Sequence, residues 1–69
     1  MPLTMAKRGE ENTVKRILGN AEVRRHLENL GFVGGARVKV ISGIRGNLIV
    51  NIKEARVAVS KELAEKILI

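Results

Sequence analysis

"HLENLGFVGG", residues 26–35, holds the chain's only histidine, its only phenylalanine and three of its seven glycines. Either it builds a site around His26, or it ends a helix and turns the chain into a sheet. Backbone chemistry favours the second. The stretch "NAEVRRHLENL" (20–30) carries Val23, Leu27 and Leu30 at i, i+4 and i+7, one stripe of a helix. Asn20 is placed to cap its start, and Glu22 complements the positive end of its dipole. After Leu30 the helix stops with Gly31 in the left-handed conformation, which other residues enter only at a cost. In that motif Phe32 folds back toward Leu27, and Gly34-Gly35 then turns the chain into the next strand.

Outward from this stretch the period changes from helical to two. "ARVKVI" (36–41), "NLIVNIK" (47–53) and "RVAVS" (56–60) each have one apolar face, from Val38/Val40, Leu48/Val50/Ile52 and Val57/Val59. The link "SGIRGN" (42–47) carries hairpin glycines at 43 and 46, and "KEA" (53–55) is a tight second link. Before the helix, "TVKRIL" (13–18) is predicted as one strand stopped by Gly19-Asn20. Ser60 caps a short final helix, "KELAEKILI", with Leu63, Ala64 and Ile67 inward. The expected fold is mainly β with α: a small, partly closed barrel of about five antiparallel strands. One helix (about 20–30) is inserted and a short helix ends the chain. Curling so short a sheet encloses its apolar faces and removes costly edges. With no linker or repeat, residues 1–69 are expected to form a single domain.

Composition narrows the function classes. At 69 residues the chain is near the lower end of what folds unaided. It has no cysteine, hence no disulfide, thiolate zinc site or thiol nucleophile. Seven Leu, seven Ile and eight Val supply the core. Burying each is worth about 1.5–3 kcal/mol, against about 1–2 kcal/mol of backbone entropy per ordered residue. So thin a balance suits a monomer or a weak homo-oligomer. No apolar run approaches the roughly 18 residues of a membrane span, and "MPLTMAKRGEEN" lacks a signal peptide's apolar core. A cytoplasmic location is expected.

The net charge of +6 invites a nucleic-acid reading. However, the 13 Lys and Arg are spread without a run of five, and one Phe makes no stacking platform. No nucleic-acid partner is expected, and a small basic barrel gripping phosphates stands as the alternative. The same charge suits an acidic protein, or the anionic cytoplasmic leaflet at about 1 kcal/mol per Lys or Arg.

Acid–base or covalent catalysis needs a nucleophile beside a base, or two titratable groups with separated pKa values in one pocket. The chain has one His, two Ser, two Thr, no Tyr and no Asp, and neither a phosphate loop nor a dinucleotide fingerprint. The expectation is a protein that is not an enzyme and carries no cofactor. At about 100° per residue, His26 sits about 60° from Val23, on the shoulder of the apolar stripe. Glu22 lies one turn earlier, so the two are candidate ligands for a divalent metal in a weak regulatory site. Nothing nearby in sequence supplies a third ligand. The plainer reading is a boundary histidine that shields the core edge and pairs with Glu22. Arg24 and Arg25 point away from the stripe, so packing does not require them. They form either a solvated face, with Glu28 as partner of Arg24, or a contact for an acidic partner surface.

The run "RRHLENLGFVGGARVKVI" (24–41), followed by "NLIVNIKEARVAVSKELAEKIL" (47–68), resembles the ferrous iron transport protein A (FeoA) family. Its markers are Leu27, Leu30-Gly31-Phe32 and Gly35, then Arg56 before an apolar-alternating strand, then Ala64 and Ile67. "PLTMAKRGEENTVKRILG" looks like the family's lead-in strand. One departure is visible: the family commonly has Pro-Gly in the turn after the helix, and this chain has Gly34-Gly35. The missing proline leaves the unfolded chain freer, at a cost of about 0.4–1 kcal/mol. The resemblance implies a cytoplasmic SH3-like barrel with an accessory role in bacterial ferrous iron uptake. The partner it implies is the cytoplasmic G-protein domain of ferrous iron transport protein B. Arg24, Arg25 and Arg56 are the candidates for that contact.

Overall fold

Asn20 accepts a hydrogen bond from the Val23 amide at 2.9 Å and opens helix α1, Ala21–Asn29. Gly31 closes it at φ 110°, its amide donating to the Glu28 carbonyl at 2.9 Å. These contacts belong to a computed structural model that describes residues 1–69. Val33 to Ala36 then make a tight turn, with the Ala36 amide donating to the Val33 carbonyl at 3.0 Å. Gly35, its third residue, takes φ 88°, the left-handed value such a turn demands there.

Six strands make up most of the remaining fold: β1 Glu11–Thr13, β2 Arg16–Ile17, β3 Arg37–Ile44, β4 Asn47–Ile52, β5 Ala55–Ser60 and β6 Ile67–Leu68. One antiparallel sheet has the order β1-β3-β4-β5, and β2 pairs antiparallel with β6. The expected mainly β, partly closed barrel with two helices is what forms. A bulge at Ile41 shifts the β3–β4 register between Val40↔Val50 and Ser42↔Ile49, bending β3 as closure requires. The period-two faces turn inward: Val38, Val40, Leu48, Val50, Ile52 and Val59 are buried, and Val57 is half-buried. Leu27 and Phe32 join them from the helix exit, and Leu3, Val14, Ile67 and Ile69 complete an entirely apolar core with Ala64.

Three local expectations are corrected. Gly43 lies inside β3 opposite Leu48, because a two-residue hairpin needs only Arg45-Gly46, at φ 44° and 82°. "TVKRIL" is not one strand. The Val14 amide donates to Ala36 and its carbonyl accepts from Gly35, both at 2.8 Å, while the Lys15 amide donates to Leu68 at 2.7 Å. The chain thus changes partners at the buried Val14, a corner between the two sheets. Finally, the C-terminal helix α2 is a single turn, Lys61–Ala64, capped by Ser60 accepting from the Leu63 amide at 3.2 Å. Beyond it Ile67, Leu68 and Ile69 alternate buried, half-buried and buried, the period of a strand. A helix continued to the end would leave β2 without its partner. No helix is long and apolar enough to cross a membrane.

Candidate functional site

α1 buries one residue, Leu27, and half-buries Val23 and Leu30. Its remaining surface is open, with Glu22, Arg24, Arg25 and His26 all exposed. His26 therefore stands farther out than a core-edge position, and it makes no ion pair with Glu22. Arg24 and Glu28 do not pair either. Such exposed pairs gain little in water and lose side-chain entropy, so they stay open. Glu22 and His26 share a helix face, but no three His or Glu side chains gather where they could hold a metal ion.

Arg56 is exposed in β5, opposite Asn51 of β4. The three arginine candidates therefore sit on two elements, two on the helix and one on the edge strand. Among the 13 Lys and Arg, Arg37 alone has a carboxylate within 4.0 Å, with Glu11 Oε1 3.5 Å from its Nη1. The other twelve are unpaired, and no polar or charged side chain is buried.

Two depressions mark this surface. One, of about 410 Å³, is lined by Glu11, Arg37, Lys39, Asn51, Lys53 and Glu54, wholly polar and mixed in charge. The other, of about 340 Å³, lies between the N-terminal segment and the β3–β4 hairpin and has no acidic lining residue. Sequence reasoning missed this second one. Its signal is Ile44-Arg45, an apolar residue and a long cation where such a turn favours Asn or Asp before the glycine. No titratable side chain is buried in either depression.

The model of the FeoA domain family matches residues 1–69. The chain belongs to the FeoA family. The putative Fe(2+) transport protein A of Methanocaldococcus jannaschii is 35% identical over 68 residues, covering 99% of this chain and 83% of that protein. A crystal structure of an iron uptake regulatory protein (FeoA) matches with TM-score 0.88 and 31% identity, over 97% of this chain and 91% of that one. The FeoA of Stenotrophomonas maltophilia, solved with zinc and described as a prokaryotic SH3 domain protein, gives TM-score 0.85. That match covers 99% of this chain and 87% of the other at 23% identity, a likeness of fold. The barrel is thus the SH3-like fold of FeoA proteins, a family involved in ferrous iron transport.

Proposed function

We propose that this FeoA chain is a non-enzymatic cytoplasmic accessory protein of ferrous iron uptake. It docks on the cytoplasmic G-protein domain of the ferrous iron transporter, ferrous iron transport protein B, and modulates or assembles it. The family match over residues 1–69 carries this reading, and the 35% identical relative named as an Fe(2+) transport protein supports it. The surface is suited to such a role. Twelve unpaired cations can meet an acidic protein face without first breaking internal ion pairs. Arg24 and Arg25 are exposed and serve no packing purpose, which leaves them free for a partner.

The direct test is a titration of the full chain against the transporter's cytoplasmic domain, with and without guanine nucleotide, and against the detergent-solubilised whole transporter. Saturable binding is expected in at least one arm, and its absence from all of them overturns the reading. If α1 forms the contact, Arg24→Glu with Arg25→Glu weakens binding about tenfold while the variant stays folded, with a thermal midpoint no lower than wild type. The abundance of unpaired cations also favours one rival, a barrel that grips phosphates. Its mark is binding to duplex DNA that falls steeply with salt, at a slope of about −0.9 per phosphate contact.

A further inference from the structure

The groove of about 340 Å³ has four apolar lining residues, Ala6, Val40, Ile44 and Leu48, and three cationic ones, Arg8, Arg45 and Lys61. Ile44 is 55% exposed, and Met5, the neighbour of Ala6, is 66% exposed. Single exposed apolar residues are ordinary on a surface. Ile44, however, lines a groove whose every charged lining residue is a cation.

Backbone contacts hold the cationic segments in place. The Gly9 amide donates to the Val40 carbonyl at 2.8 Å and lays the Arg8 segment along β3. The Lys61 amide donates to the Gly46 carbonyl at 2.9 Å and ties the start of α2 to the hairpin. Arg45 holds φ 44°, a conformation that Gly, Asn or Asp adopts at less cost. Turn chemistry does not ask for arginine at this position.

We propose that the groove binds an acidic peptide segment of a partner protein, with one large apolar side chain set against the groove's apolar lining, Ile44 among it. Carboxylates on either side of that anchor pair with Arg8, Arg45 and Lys61. The inference rests on the docking reading and gives it a face other than α1. Charge complementarity selects an acidic occupant, and the guanidinium forks of Arg8 and Arg45 fit carboxylates bidentately. The apolar lining then separates the candidates. A nucleic-acid backbone offers charge but no apolar anchor, whereas an acidic peptide with one Leu or Phe offers both.

The test is fluorescence anisotropy with the full chain and a labelled, capped Glu-rich peptide bearing one central Leu. The transporter's cytoplasmic domain is titrated in parallel. Ile44→Ser removes the anchor contact, and Arg8→Gln with Arg45→Gln removes positive charge. Gly43→Val adds bulk to the groove's lining without changing charge. The added Cβ lies 3.7 Å from Leu48 Cδ2, an ordinary contact, and Gly43 is outside the left-handed region. Lys15→Gln with Arg16→Gln, at two exposed residues outside the groove and outside α1, is the control for charge loss elsewhere.

Each groove variant should weaken the peptide about tenfold, as should Leu→Ser in the peptide, with the control within about twofold. Equal loss in the control, or no loss in Ile44→Ser and Gly43→Val, overturns the proposal. So does a short duplex DNA that displaces the peptide and binds the Ile44→Ser variant as well as wild type. If the transporter domain binds wild type and all groove variants equally, the groove inference fails and the docking reading stands. If the groove takes the peptide but the transporter does not bind, the docking reading fails and the groove serves another acidic partner.

Discussion

The Phe32 amide donates to the Leu27 carbonyl across 3.0 Å, tying the first core residue after α1 to the last one within it. Both side chains are fully buried. With the Gly31–Glu28 bond this closes the helix in a Schellman motif, so a single backbone device sets both the helix end and the exit angle. Gly31 is its hinge. A β-carbon there would hold the left-handed conformation at a cost of about 1–2 kcal/mol, and would lie 3.4 Å from Ile52 Cγ1. Gly31→Ala should lower the unfolding free energy by about that amount in urea titration, with an unchanged slope. At Gly35, φ is 88° but no atom lies within 4 Å of the added carbon. Gly35→Ala should therefore cost no more than Gly31→Ala, and a reversed order would contradict this account.

The turn that follows carries a prediction of opposite sign. Gly34 occupies its second position, its amide donates no backbone hydrogen bond, and its φ is not left-handed. An added Cβ meets only the Lys15 carbonyl oxygen, at 3.5 Å. Proline is favoured at that position and stiffens the unfolded chain. Gly34→Pro should therefore stabilise the protein by about 0.4–1 kcal/mol, seen as a thermal midpoint higher by a few degrees. A lower midpoint would show that the native turn resists the ring.

Segments with a complete local signal are legible in the sequence. Asn20, the Val23/Leu27/Leu30 stripe and Gly31 delimit α1, and alternation marks β4, β5 and the first half of β3, whose end at Ile44 lies hidden beyond the bulge at Ile41. The corner at Val14 and strand β6 are not legible. Two-residue strands hold too few residues to show a period, and their partners are chosen by tertiary contact. The exposure of Arg24 and Arg25 follows from helix phase. The groove does not, because it gathers Arg8, Ile44, Arg45 and Lys61 from segments far apart in the chain.

The correction at the C-terminus is itself testable. Ile67 is fully buried in β6, pairs with Ile17, and closes the barrel beside Val14. Ile67→Ala should cost about 2–5 kcal/mol from lost transfer energy and the cavity left behind. A domain of this length has only about 3–10 kcal/mol in total, so the variant should be largely unfolded near body temperature. Circular dichroism against temperature checks it. Leu18→Ala, at a residue 38% exposed, is the contrast and should stay folded.

Charge repulsion leads to the last prediction. The molecule measures 29 × 24 × 22 Å and carries a net +6 with one exposed ion pair. The screening length is about 30 Å at 0.01 M salt and about 3 Å at 1 M. At low salt, then, every cation feels every other, and at high salt only its near neighbours. Unfolding spreads the charges apart, so screening favours the folded chain. The opposing effect, loss of the Glu11–Arg37 attraction, is small for so exposed a pair. Repulsion wins, and the thermal midpoint should rise with NaCl, by roughly 4–8 °C for each kcal/mol relieved. Since salt also strengthens apolar burial, a charge variant isolates the cause. Replacing Lys7, Arg24, Arg25 and Lys53 by Gln should raise the low-salt midpoint and flatten its dependence on NaCl. A variant that keeps the wild-type slope would show that burial, not charge, responds to the salt.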